Sequence, residues 1–486
     1  MPSVSLIRKL LLGVFALIAV FAILLFTIGH KQISWHFCDT GAPVSPEFTT
    51  PPFLPGNILE QTVHIPATQL DSLQLTLSPK NPKIEPAPFR ITLFDSSTGE
   101  SLRSATVRPE DYTAPQTVRL SFSPPVPLSK PRVRLCIDSP SATPADAPTL
   151  PCGSAIRLSR SFVKKGGPDA CATFDGVPLS GSLCFVAAGS TPRLLVKLYW
   201  PLFAVFSLLY AAFSAWLLRC HRTRRPNLFI GLVIAAQRYR FLISQLVVRD
   251  FKTRYKRSVL GVFWSLLNPL LTMSVQYFVF SFLFRSTIQN YPLYLITGIV
   301  FFGFFRAAED QCLTAITDNT ALITKVYIPK YIFPVTRAFS ALVNFFFSLV
   351  PLFAVMLLTG AWPTPALLFL PYAILCLFFF ILGVGFFFSA LMVFFRDIQF
   401  LWGIISLLWL YMTPIFYPVS IIPPQFRPLY DLNPFVHFIG FARTILIHGT
   451  TPDPRAFALC ALCAAVPFLL GAAFFKRTQK HFILHL

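Results

Sequence analysis

Apolar and polar positions follow different patterns in different parts of this chain. Residues 30–193 carry short stretches in which every second position is apolar, whereas the remaining residues form long apolar runs. A helix that crosses a bilayer needs about 20 mostly apolar residues at 1.5 Å rise per residue. The long runs therefore predict a polytopic α-helical membrane protein with about eight transmembrane helices. They cover residues 10–28, 194–218, 259–284, 293–305, 332–358, 366–395, 398–416 and 456–475.

The first two runs flank the alternating segment and predict its side of the membrane. Run 10–28 follows Arg8 and Lys9, and run 194–218 precedes four arginines between positions 219 and 225. Because cytoplasmic flanks are rich in Lys and Arg, both basic ends are expected inside and the alternating segment outside. The length of the first run favours an uncleaved anchor. A cleaved signal peptide, whose core has about 7–15 apolar residues, is the alternative.

The alternating segment predicts a β-rich extracytoplasmic domain. It holds 23 of the 43 prolines, and its apolar positions recur with period two, as at Leu73, Leu75 and Leu77. Period two, broken by Pro, Ser and Gly about every ten residues, is typical of short antiparallel strands. About eight such strands over this length favour a β-sandwich or a jelly roll.

Five of the ten cysteines lie in the same segment. In an oxidising compartment Cys136, Cys152, Cys171 and Cys184 are expected to form one or two disulfides, which would leave Cys38 unpaired. Free buried cysteines are the alternative. The spacing of His, Cys and Asp indicates no metal site.

Two further stretches are too polar or too short to cross a membrane comfortably. Residues 227–248 contain Arg238 and Arg240 between two basic clusters, so we expect a helix lying in the inner interface, with a ninth span as the alternative. Residues 419–447 contain His437 and Arg443 and predict a re-entrant or interfacial pair of helices. The predicted organisation is a transmembrane anchor (1–29), a β-sandwich-like domain (30–193), a second transmembrane helix (194–218), a basic cytoplasmic linker with the interfacial helix (219–257) and a six-helix core (258–486).

Composition narrows the class of protein, and the charge distribution locates the basic residues. Of the 486 residues, 54% are hydrophobic and 13% are charged, against about 25% charged in soluble domains. The net charge is +21, but residues 30–195 contribute only +2, from 15 basic and 13 acidic side chains. Residues 219–257 alone carry 11 basic residues and one acid, Asp250. Basic residues placed between apolar runs indicate a membrane-flanking role and not a nucleic-acid surface.

A set of motifs in the second half of the chain resembles one transporter family. Residues 245–269 read QLVVRDFKTRYKRSVLGVFWSLLNP, and three further stretches follow at 319–334, 395–397 and 413–434. In this order they resemble the type-2 ABC transporter permeases that export O-antigen polysaccharides and teichoic acids. The resemblance covers roughly residues 228–486 and leaves out the anchor and the β-rich segment. Its first motif rests on Arg249, Asp250, Tyr255, Ser258, Leu260, Gly261, Trp264 and Pro269.

The resemblance implies a permease subunit that is not itself an enzyme. Hydrolysis of ATP needs a phosphate-binding Gly-x-x-x-x-Gly-Lys-Ser/Thr loop, and the sequence contains no Gly-Lys pair. No cofactor is therefore expected in this chain, and ATP and Mg²⁺ would bind a separate cognate ATPase subunit. The implied partners are that ATPase, a second copy of the chain, membrane lipids and a lipid-linked polysaccharide in the cytoplasmic membrane, without nucleic acid. Candidates for ATPase docking are Arg249, Asp250, Lys252, Asn319, Lys325 and Lys330.

The implied cargo is a glycan on a lipid diphosphate, which needs aromatic faces for sugars and cations for phosphates. Candidates for the substrate conduit are Trp264, Tyr277, Trp402, Trp409, Tyr411, Phe416, Tyr417, His437 and Arg443. Candidates for the diphosphate at the inner interface are Arg238, Arg254 and Arg257. An aromatic belt at the membrane interface is the alternative for the aromatic residues.

Another class of function stays open at this stage. A membrane-bound cell-envelope glycan transferase or ligase would need catalytic acids or bases in the outer loops, where Arg427, Asp431 and Asp453 are found. For the β-rich domain two roles stay open: binding of the emerging glycan, or a spacer.

Overall fold

The computed structural model divides the chain into two compact units, Met1–His30 with Leu202–Leu486, and Lys31–Pro201. We call them the helical unit and the β-rich unit. The residues that the structure describes are 4–39, 48–50, 54–65, 67–77, 88–96, 98–108, 116–128, 132–139, 151–154, 172–179, 181–183, 185–192, 195–223, 228–256, 258–284, 288, 290–326, 328–419, 422 and 424–485.

The β-rich unit contains antiparallel strands in three sheets. The strand order is β1-β13-β4-β7 in the first sheet, β11-β10-β3-β8-β5-β6 in the second and β12-β9-β2 in the third. The strands are β1 (Trp35–Asp39), β2 (Phe48–Thr49), β3 (Ile58–His64), β4 (Gln69–Leu77), β5 (Phe89–Asp95), β6 (Ser101–Val107), β7 (Gln116–Pro127), β8 (Arg132–Asp138), β9 (Pro151–Ser154), β10 (Thr173–Phe174), β11 (Val177–Pro178), β12 (Gly181–Leu183) and β13 (Phe185–Pro192).

The first two sheets share one apolar core, which confirms the predicted sandwich. Leu73 and Leu75 of β4 are buried in the same cluster as Leu59 of β3 and Leu135 of β8. The period-two pattern places these side chains on the inner faces of the two sheets. The described strands outnumber the eight expected, because several have only two to four residues and leave too short an alternation to read in the sequence.

Cys136 corrects part of the disulfide prediction. Its thiol is free and donates to Glu60 Oε1 at 3.4 Å across the β3–β8 pair. Burial, with Glu60 alongside, raises the pKa of the Cys136 thiol to about 12. Cys171 and Cys184 lie outside the described residues.

The helical unit is formed by the two ends of the chain. In chain order the described helices of the whole chain are α1 (Val4–Ile28), α2 (His30–Ser34), α3 (Leu195–Arg222), α4 (Leu228–Tyr255), α5 (Phe263–Phe284), α6 (Tyr291–Leu313), α7 (Thr320–Lys325), α8 (Ile332–Leu358), α9 (Leu370–Phe394), α10 (Ile398–Met412), α11 (Arg427–Asp431), α12 (Pro434–Leu446), α13 (Pro454–Thr478) and α14 (Phe482–His485). Of these, α2 after His30 and α3 before Leu202 belong to the β-rich unit. Single 3-10 turns precede α7, α9 and α11.

Six helices in the described part of the chain are long and apolar enough to cross a membrane. They are α1, α3, α6, α8, α9 with its preceding turn, and α13. Helix α5, predicted as the first core span, has 22 residues. Helix α10 has only 15 residues, or about 22 Å, against about 30 Å of hydrocarbon. The predicted span 398–416 is therefore shorter in the structure.

Helices α9 and α13 approach each other through two glycines. A Cβ on Gly471 would lie 1.9 Å from the backbone oxygen of Gly383, and a Cβ on Gly383 would lie 2.4 Å from Pro467 C. No larger residue fits either position at this separation. Small residues at a membrane-helix crossing permit close packing where hydrophobic driving force between helices is lacking.

The N-terminal helix packs onto this core. The ring of Phe21 in α1 lies 5.6 Å from Phe369 and 5.5 Å from Tyr372 near the start of α9, and 6.1 Å from Phe457 in α13. At the end of α1, Thr451 donates to the Ile28 carbonyl at 3.3 Å. The described part of α1 is therefore part of the helical unit and not a free tether.

Candidate functional site

A polar cleft opens between α4, α5, α6 and α8. Its volume is about 310 Å³. Helix α4 contributes its last turn, α5 its first three turns, and α6 and α8 one face each. The lining residues are Arg254, Tyr255, Trp264, Ser265, Asn268, Pro269, Thr272, Ile299, Val300, Gly303, Phe304, Ala307, Ala341, Asn344, Phe345 and Ser348. Two residues predicted from the sequence, Trp264 and Arg254, are thus brought together here.

One wall of the polar cleft is a hydrogen-bonded network. Tyr255 donates to Asn344 Oδ1 at 2.8 Å and also contacts the Ser265 hydroxyl. Asn344 donates to the Ser340 carbonyl at 3.0 Å, and Ser348 donates to the Asn344 carbonyl at 3.2 Å. The network joins the end of α4 to α5 and α8, so it fixes the shape of the cleft.

The other polar groups of the cleft are free to meet a ligand. Among the described residues, the side chains of Arg254, Asn268 and Thr272 have no hydrogen-bond partner. Trp264 is 47% exposed beside them. A guanidinium group, an amide, a hydroxyl and an indole face together match a sugar or a phosphate, which offer oxygen acceptors, hydroxyl donors and an apolar ring face.

A chain of charges links α4 to the loop before α8. Asp250, only 8% exposed, lies 3.1 Å from Arg337 Nη1 and 2.9 Å from Arg249 Nη2. The other Arg337 nitrogen donates to Asp318 Oδ2 at 3.3 Å, and Thr314 donates to the same oxygen at 2.8 Å. Arg337 therefore connects the helix predicted to lie in the interface with the segment predicted to dock the ATPase.

The predicted docking residues differ in how they are used. Asn319 is buried and donates to the Ala315 carbonyl at 2.8 Å. Lys330 donates to the Gln479 carbonyl at 2.6 Å, and burial lowers its pKa. Lys252 and Lys325 are exposed. The exposed pair is available to a partner, whereas Asn319 and Lys330 hold the fold of the docking segment.

Three of the predicted aromatic residues pack inside the core. Trp402 is buried and donates to Asp310 Oδ1 at 2.8 Å. Trp409 donates to Asn433 Oδ1 at 3.0 Å. Phe416 is buried, and its ring stacks on Phe280 at 5.4 Å. In each case packing within the helical unit explains why an aromatic side chain occupies the position.

The remaining predicted aromatic and histidine residues lie nearer the surface. Tyr277 and Tyr411 are exposed, and Tyr417 donates to the Tyr411 carbonyl at 2.7 Å. His437 Nε2 lies 2.7 Å from the Asp431 carbonyl. Apart from Trp264, none of the predicted conduit residues lines the polar cleft.

Arg443 is the most buried cation among the predicted residues. It is 7% exposed, and its guanidinium carbon lies 3.3 Å from the centre of the Tyr294 ring. It donates to the carbonyls of Pro414 at 2.7 Å, Tyr294 at 3.0 Å and Ile415 at 3.3 Å. The side chain thus joins α12, α6 and the turn after α10.

The three residues predicted to bind the diphosphate are Arg238, Arg254 and Arg257, and of the two that the structure describes only Arg254 lines the polar cleft. Arg238 is exposed on α4 with its guanidinium carbon 5.7 Å from the Tyr239 ring centre. Arg257 lies outside the described residues. The sequence prediction missed Asn268 and Asn344. Both are amides inside otherwise apolar runs, a signal that could have marked them, since polar residues in such runs make contacts between helices.

Comparison with known proteins adds an independent observation. Residues 242–447 match the ABC-2 type transporter family. The chain is 33% identical over 255 residues to the O-antigen export system permease protein RfbA of Myxococcus xanthus, covering 52% of this chain and 98% of that protein. Two proteins of the same name from Klebsiella pneumoniae are 28% and 30% identical over 246 residues, covering 50% of this chain and 95% of each.

Proposed function

Because this chain belongs to the ABC-2 type O-antigen export permeases, we propose that it forms the membrane part of an ATP-driven exporter. In this proposal two copies of the chain and two separate ATPase subunits move a lipid-linked polysaccharide or glycolipid across the cytoplasmic membrane. The observation that carries it is the polar cleft, where Trp264 and free hydrogen-bonding groups lie among apolar helices. No bond chemistry is assigned to the chain; its work is translocation.

The polar cleft would receive the first part of the cargo. Arg254 lies at the end of α4, in a stretch rich in basic residues, where a diphosphate could pair with it. Asn268 and Thr272 lie one and two turns further along α5 than Trp264, at the spacing of a helical face. A sugar stacked on the indole would then reach both side chains.

A second copy would cover the apolar faces of α5 and α10. On α10, Phe400, Ile404 and Leu408 are 61–69% exposed at a spacing of four residues, which places them on one face. On α5, Val275 and Phe278 are 64% and 72% exposed. Joining these faces between two copies would enclose a path that the polar cleft enters.

The ATPase would dock on the segment around α7. Lys325 is exposed at the end of α7, and the segment is tied through Asp318 and Arg337 to Asp250 on α4. Movement of α7 on ATP binding would therefore pull on α4 and on Tyr255, which forms one wall of the polar cleft. The arrangement supports a mechanical route from nucleotide to cargo.

The β-rich unit, whose residues lie between the first two spans in the sequence, would be extracytoplasmic. This orientation rests on Arg8 and Lys9 near the start of α1 and on the basic residues in the last turn of α3. Modification of Cys220, near the end of α3, by a membrane-impermeant thiol reagent from inside only is the expected result. Modification from outside would reverse the orientation.

Purification of the full chain from its own host tests the proposal. We expect an ATPase with a phosphate-binding loop to co-purify in equal amount, and deletion of the permease gene to trap lipid-linked polysaccharide inside the cell. Absence of the ATPase, with normal polysaccharide at the surface of the deletion strain, would refute the proposal.

A pair of tryptophan variants tests the cleft itself. Stacked aromatic pairs contribute on the order of 1 kcal/mol, and we take the same magnitude for a sugar on the Trp264 indole, so Trp264→Ala is expected to slow export about fivefold while the ATPase still binds. Trp362→Ala is the matched control, since Trp362 is exposed outside the polar cleft. Equal loss of export in both variants would remove the cleft from the proposal.

A further inference from the structure

A groove runs along the contact between α1 and α3, apart from the polar cleft. Its volume is about 380 Å³, and its lining is almost entirely apolar. We call it the α1–α3 groove. The residues that define it here are Arg8, Leu11 and Phe15 of α1 and Ser207, Ser214 and Leu218 of α3.

The two helices are antiparallel and close the floor of the α1–α3 groove. Ile7 packs on Leu217, and Tyr210 donates to the Leu11 carbonyl at 2.9 Å with its ring stacked 5.4 Å from Phe15. The groove therefore has a fixed wall and a defined polarity: Arg8 is at one end and Phe15 lies about 10 Å away along the helix. That length accommodates the upper part of one acyl chain in a single leaflet.

Two polar groups of the α1–α3 groove lack partners. Within the described residues Arg8 makes no ion pair, and the Ser214 hydroxyl oxygen is buried with no hydrogen-bond partner. The basic end of α3 adds Arg219 and Arg222 nearby in the sequence. A buried hydroxyl without a partner is costly, so an acceptor from a bound molecule would satisfy it.

We propose that the α1–α3 groove binds an anionic glycerophospholipid of the inner leaflet. Its phosphate would pair with Arg8, an ester carbonyl would accept from Ser214, and an acyl chain would fill the apolar groove toward Phe15. A second copy of the chain fits less well, because a symmetric contact at this face would bring two Arg8 side chains together. The assignment of this lipid to the inner leaflet rests on the membrane orientation given under the proposed function; the rest of the proposal does not.

The bound lipid would fix the position of the interfacial helix. Ile234 of α4 packs against the Ile7–Leu217 contact at the same end of the helix pair. A lipid in the groove would therefore stabilise the surface on which α4 packs, and through α4 the polar cleft, which the last turn of α4 lines. With lipid bound, the α1–α3 pair would hold α4 in position, in addition to anchoring the β-rich unit in the membrane.

Native mass spectrometry of the full-length chain tests the site, with phosphatidylglycerol and phosphatidylcholine of identical acyl chains as probes. A single cation near the membrane surface contributes about 1 kcal/mol, so about fivefold tighter binding of phosphatidylglycerol is expected. Arg8→Gln should abolish that preference. Lys9→Gln, the matched control outside the groove, should keep it. Equal binding of the two lipids by the unmodified chain would overturn the proposal.

Two further variants test the acyl part of the site. Ala211→Phe, which fills the groove, should lower the binding of both lipids at least fivefold, whereas Ala212→Phe on the same helix but outside the groove should not. Ala211→Phe that leaves lipid binding intact but changes the number of copies in the complex would assign the groove to a second copy. Displacement of phosphatidylglycerol by a polyprenyl diphosphate would assign it to the cargo lipid. Either result overturns the proposal.

These measurements use no ATP and no polysaccharide, so they separate the two proposals. Normal polysaccharide at the surface of the deletion strain and no co-purifying ATPase, with the lipid preference of the purified chain intact, would count against the proposed function alone. Equal binding of phosphatidylglycerol and phosphatidylcholine by the unmodified chain would count against the lipid site in the α1–α3 groove alone. If Ala211→Phe fails to fold, Arg8→Gln, an exposed polar substitution, still decides the question.

Discussion

Arg337→Gln is expected to loosen α4 from α8. Asp250 is 8% exposed, and Arg337, 19% exposed, is its partner from α8 at 3.1 Å. Removing one member of a buried pair costs about 3–5 kcal/mol, because the other charge stays buried. Arg249 remains 2.9 Å from Asp250 and partly compensates, so we expect the lower end, about 3 kcal/mol. The exposed contact of Arg337 with Asp318 adds about 0–1 kcal/mol.

Hydrogen exchange of the purified chain measures this loss locally. A cost of about 3 kcal/mol raises the population of the detached state of α4 by about two orders of magnitude. Backbone amides over residues 249–256 should therefore exchange about 100-fold faster, while amides in α9 should not change. Asp250→Asn should cost less, because Arg337 keeps Asp318 as a partner.

The double variant separates the ion pair from a general disturbance. With Asp250→Asn and Arg337→Gln together, no buried charge is left unpaired, because the charges that lose a partner, Arg249 and Asp318, are about half exposed. Part of the loss should therefore be recovered, with a coupling energy of about 1–3 kcal/mol. Arg396→Gln, at an exposed arginine after α9, is the control. Unchanged exchange in Arg337→Gln, or costs that simply add in the double variant, would refute the reasoning.

Three further predictions concern other parts of the chain. Asn433→Ala removes a side chain that accepts from the Phe435 amide at 3.1 Å and from an indole, so a loss of about 2 kcal/mol is expected; an unchanged thermal midpoint would contradict it. The raised pKa keeps the Cys136 thiol protonated near pH 8, so its alkylation should be at least 100-fold slower than that of an ordinary thiol. Glu60→Gln should raise the alkylation rate of Cys136, as measured by peptide mass spectrometry. Phe482→Ala removes a buried ring that lies 5.5 Å from Lys330 Nζ, so the free energy of unfolding should fall by about 3 kcal/mol. Denaturation in mixed micelles measures this loss, and a loss below about 1 kcal/mol would show that the C-terminal helix does not stabilise the docking segment.

The parts of the fold that depend on local periodicity could be predicted from the sequence. Leu73 and Leu75 face the sandwich core because successive strand residues point to opposite faces. The long apolar runs become helices because a backbone in hydrocarbon must satisfy its own hydrogen bonds. The end of α10 before Pro414 could also have been predicted, because the residue before a proline disfavours helix.

Features that join distant segments could not be predicted in this way. Asp250 and Arg337 lie in different helices, and no pattern within either helix identifies its partner. The same holds for Tyr255 and Asn344, which meet across the polar cleft. Aromatic type was a poor guide because the chain has 53 phenylalanines, so core packing and conduit lining draw on the same residues. Trp402 and Trp264 carry the same indole, and only their neighbours distinguish them.

Arg443 illustrates how the backbone accounts for a charge at membrane depth. Helix α10 ends at Met412, and the turn that follows leaves carbonyls without helical donors, which hydrocarbon cannot satisfy. Arg443 donates to two of them, Pro414 and Ile415. A Cβ on Gly298 of α6 would lie 3.2 Å from Arg443 Nη2 and 2.8 Å from Ile415 Cγ2, so only glycine leaves room for both. The short helix, the buried arginine and the glycine are therefore one structural unit, because each removes a cost that the others would otherwise create.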